Sequence, residues 1–391
     1  MNKKRKIAIF INDLSAGGCE RTASILINKL SNEFDWLLIL LNDNIHYEIP
    51  DGIPKVVFSG EVKGWRQLFY LFTFSSTASK VKIALENFRA DTLISFNHLP
   101  NSIAARIKKR GWLGKLIISE QVHCSTYISE LKSPLKRWVK RREISKYYSY
   151  ADLIVPNAVG IASDLKDTFS INTAITVVHS PIDLEQAYRQ MQAKRPAVFH
   201  KLEGKFIIIH VGRYEPQKNH QLLISAFKMA ALPNAVLLLV GQGTLFESTN
   251  KLIQELNLQE SVLQVGVQTN PFVYLAASQV FALSSDYEGF PNVLLEALAS
   301  GLAIVSTNCQ CGPSEILNPN QEIDPFKGDV VVEAAYGLLV PVQNTTALAE
   351  SFKLLYRNHA LRTLYQQKAK VRASDFAVDK IISQYRTIFQ S

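Results

Sequence analysis

The chain is predicted to be α/β, with two doubly wound parallel sheets in tandem, and three observations lead there. Short apolar runs of strand length alternate with amphipathic helical stretches from the first residues onward. The alternation pauses near residue 180 and restarts at Phe206 with the same order of strand, glycine-bearing loop and helix. A length of 391 residues is long for one hydrophobic core and comfortable for two of roughly 150–200. The expected division is 1–180, 181–373 and a closing segment 374–391.

The first strand is Lys6–Ile11, followed by a loop to Gly18 and a helix whose Ala23, Leu26, Ile27 and Leu30 repeat at i, i+3, i+4, i+7. Strands are expected at Trp36–Leu41, Thr92–Ser95 and Leu116–Ser119, with a helix across Ile103–Lys109. Val177–Ser180 reads as a strand running into a linker at Pro181–Asp183. The second half repeats the grammar. Strand Phe206–Val211 leads into loop Gly212–Asn219 and a helix carrying Leu222, Leu223, Ala226 and Phe227. Strand Ala235–Val240, the turn Gly241-Gln242-Gly243 and strands Val262–Val265, Val280–Leu283 and Ala303–Ser306 follow. From Ser374 onward, Ile381, Ile382 and Tyr385 share one side of a closing helix expected to pack back on the N-terminal domain. Sheets of this kind bind ligands at the carboxyl ends of their strands, so a cleft between the two domains is the expected site.

Composition excludes several classes. With 47% hydrophobic and 20% charged residues, the chain is that of an ordinary globular protein, not a disordered one. Cys19, Cys124, Cys309 and Cys311 are scattered and read as reduced thiols, neither a disulfide framework nor a zinc site. The basic start, Met1–Lys6, is followed by too short an apolar run for a signal peptide, and no stretch reaches the ~18–20 apolar residues of a spanning helix. A cytosolic protein is expected. Its net charge of +9 lies in the first half: residues 1–180 hold 25 Lys and Arg against 16 Asp and Glu, and the remainder holds 18 of each. A basic half calls for an anionic partner, either nucleic acid or an acidic membrane face.

Four patches carry the chemistry. Gly17-Gly18 precedes a helix, where free N–H groups can meet an anion; the plain alternative is a tight turn. Gly212-Arg213 with Lys218-Asn219 puts two cations in one loop at a helix start, suited to a diphosphate, unless both are simply solvated and Asn219 only caps the helix. Glu288 and Glu296 flank Gly289-Phe290-Pro291-Asn292 and the start of a helix with Pro291 expected at its first position. A carboxylate accepts two hydrogen bonds and fits the paired hydroxyls of a sugar. If helical throughout, 288–296 would span roughly 12 Å, comparable to the two sugars of a nucleotide-sugar. The alternative is a turn glutamate and a surface helix glutamate.

At these residues the chain resembles the retaining glycosyltransferases of family 4, which have the two-domain GT-B fold. Glu288 and Glu296 match their E-x7-E motif, Gly212-Arg213 with Lys218-Asn219 their donor-phosphate loop, and Gly17-Gly18-Cys19-Glu20-Arg21 their N-terminal glycine loop. Cys311–Leu317 and Tyr336–Val340 also look like the family. The resemblance implies that Arg213 and Lys218 hold the donor diphosphate and Glu296 the ribose hydroxyls. Glu288, with Gly289, Phe290, Pro291 and Asn292, would hold the transferred sugar, and Gly17 and Gly18 would approach from the other domain. Members often carry a His directly after a Glu at the end of an N-domain strand. Here Glu120 is followed by Gln121, and His123 is the nearest imidazole to face the reaction centre. Gln242 stands where relatives often have an acid, which leaves the base of the donor open.

A nucleoside diphosphate is a good leaving group, so the need is to stabilise charge on the departing diphosphate. The sequence has no Asp-x-Asp, and no metal or cofactor is expected; Arg213 and Lys218 would serve instead. The expected function is transfer of a hexose or N-acetylhexosamine, from a UDP-sugar by preference, to a lipid-linked glycan of a bacterial surface polysaccharide. Lys132, Lys136, Arg137, Lys140 and Arg141, with Leu135, Trp138 and Val139 and the aromatic stretch Trp65–Phe74, would rest on an anionic inner leaflet of the cytoplasmic membrane. Competing readings are a nucleotide-sugar epimerase, which needs no acceptor, and an RNA-binding protein. The latter lacks an aromatic recognition motif, so no nucleic acid partner is expected.

Overall fold

The computed structural model describes residues 4–58, 70–319 and 330–391. The chain forms two compact units, residues 1–181 with 379–391, and residues 182–378.

Unit 1 runs β1 (Lys6–Ile11), α1 (Gly18–Leu30), β2 (Asp35–Leu40), β3 (Lys55–Val57), α2 (Tyr70–Phe88), β4 (Thr92–Phe96), α3 (His98–Lys109), β5 (Lys115–Glu120), α4 (Cys124–Ser129), α5 (Pro134–Tyr147), β6 (Leu153–Pro156) and α6 (Val159–Asp167). Its sheet has the order β3-β2-β1-β4-β5-β6 and is parallel throughout. Residues Ile7–Ile11 and Leu37–Leu40 are buried on both faces, which is why these strands read as continuous apolar runs instead of alternating ones. The expected strand at 177–180 does not form. That segment passes beside β6 with a single bridge, Ile154 to Ile175, and one further hydrogen bond from Val178 N to Pro156 O. The closing helix α15 (Val378–Gln390) belongs mainly to unit 1. Phe389 packs edge-on against Phe34 and Trp36, and Arg386 makes a two-pronged ion pair with Glu33.

Unit 2 contains α7 (Leu184–Met191), β7 (Phe206–Val211), α8 (His220–Ala230), β8 (Ala235–Val240), α9 (Phe246–Glu255), β9 (Val262–Gln264), α10 (Phe272–Leu275), β10 (Val280–Leu283), α11 (Asn292–Ala299), β11 (Ala303–Thr307), α12 (Pro313–Leu317), β12 (Val332–Ala334), β13 (Gly337–Val340), α13 (Thr345–Arg357) and α14 (His359–Ala373). The sheet order is β12-β13-β11-β10-β7-β8-β9. Edge strand β12 is antiparallel to β13, a departure from the all-parallel expectation. One core gathers Ile208, Leu237, Val280 and Val305 from the sheet with Leu223 and Phe227 of α8 and Leu348 and Phe352 of α13.

In both sheets the strand order reverses at one place, between β1 and β4 in unit 1 and between β7 and β10 in unit 2. Loops leaving the carboxyl ends of those strands diverge there and leave room for a ligand.

Candidate functional site

The site of unit 2 is built where β7 and β10 end. After Val211 the chain turns at Gly212, whose N–H bonds Val240 O on β8. A methyl group at Gly212 would meet His210 Nε2 at 2.7 Å, and one at Gly241, with φ +144°, would meet Gly212 O at 2.0 Å. The glycines of the Gly241-Gln242-Gly243 turn are therefore explained by backbone packing: Tyr214 N also bonds Gln242 O. A 3-10 turn, Pro216–Lys218, leads to Asn219 in the left-handed region, φ +46°, where its side chain caps α8 by accepting from Leu222 N. Asn219 Nδ2 also donates to Asp286 Oδ1 at 3.0 Å, so its capping role and a role in joining the two loops coexist.

From β10 the chain enters Ser284–Pro291. Ser284 Oγ donates to Lys218 O, and Asp286 N to Gln217 O, which pins this loop to the first. The Lys218 ammonium lies 2.5 Å from Glu288 Oε1, and the two side chains are only 13% and 8% exposed. Ser285 Oγ donates to the same carboxylate oxygen at 2.6 Å, while among the described residues Oε2 has only a long 3.5 Å contact from Gln217 Nε2. Arg213 is exposed, and among the described residues its guanidinium has no hydrogen-bond or ion-pair partner. Pro291 is the N-cap of α11, not its first residue, and Glu288 lies in the loop; the 288–296 segment is not one helix. Among the described residues no side chain caps α11, which leaves its first N–H groups to solvent or a ligand. Glu296 sits half-buried on α11. Gly312, φ +89°, lets the Cys311-Gly312-Pro313 turn press on Gly289–Pro291, since a methyl there would meet Gly289 O at 2.4 Å. Phe290 is buried against Phe376.

Beneath the loop lies a stack that sequence reasoning missed. Tyr214 and His220 rings are parallel, 4.1 Å apart, and His210 meets His220 edge-on at 4.8 Å. Burial pushes His210 down to about 4 and His220 to about 2, the latter aided by His210 and the nearby Lys218. Both imidazoles are neutral in the folded protein, while in the unfolded chain they take up protons near pH 6.5. Stability should therefore fall as the pH drops from about 6.5 toward 4, by roughly 3 kcal/mol from His210 alone. Urea titrations at pH 7.5 and 4.5 test this, and a smaller loss is expected in His210→Gln.

In unit 1, Gly17 is the N-cap of α1 and Gly18 its first residue; the end of the Glu20 side chain, which accepts from Asn97 Nδ2, lies close to Gly17. His123 is the N-cap of α4: its Nδ1 accepts from Thr126 N and lies 3.7 Å from Asp164. Burial lowers its pKa, with Asp164 opposing. His123 is therefore buried and caps α4 through Nδ1. Of the basic cluster, Lys132 and Lys136 are exposed, while Lys140 is tied to Glu143 at 2.6 Å, Arg137 Nε to Leu131 O, and Arg141 to Thr168 O and the Phe169 face. Trp65–Phe69 lie outside the described residues, and of 70–75 only the backbone is described.

Two Rossmann-like units, with Lys218 meeting Glu288 at the switch point of the second, are the architecture of the GT-B glycosyltransferases. A family model for the group 1 glycosyl transferases matches residues 192–372. A Campylobacter jejuni relative is 35% identical over 96% of this chain and 97% of its own: an N-acetylgalactosamine-N,N'-diacetylbacillosaminyl-diphospho-undecaprenol 4-alpha-N-acetylgalactosaminyltransferase. The amylovoran biosynthesis glycosyltransferase AmsD of Erwinia amylovora is 25% identical over 98% of this chain and 99% of its own. Among solved structures, a Rickettsia africae glycosyltransferase superposes with a TM-score of 0.77 at 16% identity, covering 99% of this chain and 98% of the other. Anabaena Alr3699/HepE in complex with UDP gives 0.76 at 17%, covering 98% and 99%. The chain belongs to the group 1 glycosyl transferases and is a glycosyltransferase of the bacterial surface-polysaccharide type.

Proposed function

We propose that the protein transfers an N-acetylhexosamine from a UDP-sugar to a polyprenyl-diphosphate-linked glycan during surface-polysaccharide assembly, with retention. The C. jejuni relative, which acts on an undecaprenyl-diphosphate-linked saccharide, supports the acceptor class. The observation that carries the donor reading is the meeting of Lys218 and Glu288, 70 residues apart, beside the uncapped start of α11. In this reading the diphosphate is held by Arg213, by Lys218 and by the N–H groups at the start of α11. Glu288 keeps Oε2 for a hydroxyl of the transferred sugar, beside Gly289–Asn292, and Glu296 binds the ribose. In this reading Gly17 and Gly18, at the start of α1, approach the donor.

When the bond from the anomeric carbon to the diphosphate breaks, its electron pair stays on the phosphate oxygen. The acceptor hydroxyl adds to the same face of the sugar and gives its proton to that oxygen. Fixed cations beside the growing charge stabilise this step more than the ground state. The test is a transfer assay of purified protein with a panel of nucleotide-sugars and a synthetic polyprenyl-diphosphate-linked N-acetylhexosaminide. Product from a UDP-N-acetylhexosamine is expected. Donor conversion without acceptor would favour an epimerase instead.

The acceptor lipid implies contact with a bilayer. Among the described residues no helix is long and apolar enough to cross one. On α5, Leu135, Trp138 and Val139 are exposed at i, i+3 and i+4, between 49% and 69%, with Lys132 and Lys136 beside them and Arg142 over the Trp138 ring. This face suits a headgroup region rich in anionic lipid on the cytoplasmic side. Trp138→Ala with Lys136→Glu should weaken sedimentation with phosphatidylglycerol vesicles at low salt about tenfold or more. Equal sedimentation of wild type and variant would remove the surface from the account.

A further inference from the structure

The carboxyl edge of the unit 1 sheet holds a second group of polar side chains that donor binding does not use. It lies at the β1/β4 switch point and the neighbouring end of β5. Asn97, which links β4 to α3, has φ +72°, an uncommon conformation for a residue with a side chain. It places His98 at the start of α3, where the imidazole packs on Tyr127 with ring centres 4.1 Å apart. Nδ1 of His98 lies 3.2 Å from Glu120 Oε2, a charge contact too poorly aligned for a hydrogen bond. Among the described residues, buried Nε2 has no hydrogen-bond partner; along the same edge the Oδ1 atoms of Asn12, after β1, and Asn157, after β6, are also buried without one.

Glu120 is the anchor of the group. It is wholly buried, accepts from the Tyr148 hydroxyl at 2.7 Å, and accepts from the N–H groups of Gln121 and Val122 on its other oxygen. Burial alone would raise its pKa, but His98, Tyr148 and the backbone donors together hold it below the usual carboxylate value. Orphaned polar atoms at a sheet's ligand-binding edge indicate a polar ligand that completes them.

We propose that this edge binds the acceptor sugar, His98 Nε2 making a hydrogen bond with an acceptor hydroxyl while Glu120 and Tyr148 act as positioning residues that fix the imidazole. The assignment rests on the transferase reading above and leaves the proton transfer to the diphosphate as written there. Cys124 also comes within 4.8 Å of His98 and Glu120, so a metal ion is the rival occupant. The sugar hydroxyl is favoured because Glu120 already accepts hydrogen bonds on both oxygens, whereas His98 Nε2 and the two asparagine oxygens lack them.

The experiment compares wild type with His98→Ala, His98→Gln and Tyr148→Phe, using UDP-N-acetylhexosamine and a polyprenyl-diphosphate-linked N-acetylhexosaminide in detergent. Acceptor kcat/KM should fall about 10- to 100-fold in His98→Ala, recover partly in His98→Gln, and fall less in Tyr148→Phe. Donor Kd and the slow hydrolysis of donor by water should stay within about twofold. If His98→Ala does not fold, as judged by its melt, His98→Gln carries the comparison. Wild-type acceptor kinetics in both His98 variants would overturn the proposal, as would a parallel loss of donor affinity. So would one equivalent of zinc retained by wild type through dialysis and lost in Cys124→Ser. Failure of wild type itself to use any acceptor would overturn the transferase reading and this subsite with it.

Discussion

Replacing Lys218 by Ala should slow sugar transfer by about 10²- to 10³-fold, the scale on which one fixed charge-stabilising donor contributes to a reaction of this type. The substitution also strands Glu288, whose carboxylate is 8% exposed and among the described residues keeps only Ser285 and the distant Gln217 as partners. Breaking one side of a buried pair costs more than forming it gained, so the melting temperature should fall by several degrees as well. The two effects separate in Lys218→Arg. That variant keeps the charge and most of the stability, but its planar fork cannot sit where a compact ammonium donates to the Glu288 oxygen that Ser285 also bonds. It should remain well below wild type in kcat. Initial rates, taken at least 15 °C below each variant's melting temperature, make the comparison. Wild-type turnover in a folded Lys218→Ala protein would contradict the role assigned to it.

The second large effect is expected for Glu288→Gln. The amide keeps the shape of the carboxylate and an oxygen for Lys218 and Ser285, yet loses the charge and one acceptor position for sugar hydroxyls. Transfer should fall about 100-fold, while the Kd of the nucleoside diphosphate alone should stay within about threefold, because Glu288 is assigned to the sugar and not to the phosphates. The double variant with Lys218→Ala should be little worse than the more impaired single variant, since the two side chains act as a unit. Losses that multiply would show two independent groups.

The strands that sequence reasoning placed most accurately were β1, β7, β8 and β10, each an apolar run closed by Gly, Asn or Ser. Buried parallel strands leave that signature because neither face tolerates polar residues. Val177–Ser180 has similar residues but no partner strand beyond one bridge, and pairing is a property of the neighbours. The residues of the candidate site were legible as motifs, but their connections were not. Lys218 touches Glu288 across 70 residues, and Tyr148 reaches Glu120 across 28. Such contacts follow from strand order, which local pattern does not encode. His98 was passed over for the same reason. It sits two residues past an ordinary buried strand, and only the sheet brings Glu120 beside it. A check of every His, Asp or Glu within two residues of a strand's carboxyl end would have found it. His123, three residues past the end of β5, caps α4 through Nδ1, an arrangement set by Thr126 that the strand pattern does not show.

The most direct test is calorimetric. The nucleoside monophosphate and diphosphate of the active donor are titrated into wild type and Arg213→Ala, a variant altered at an exposed side chain that no described residue holds. In wild type the second phosphate should tighten binding about tenfold or more, and in the variant that gain should shrink to about twofold or less. A gain of the same size in both proteins would mean that the diphosphate is held elsewhere.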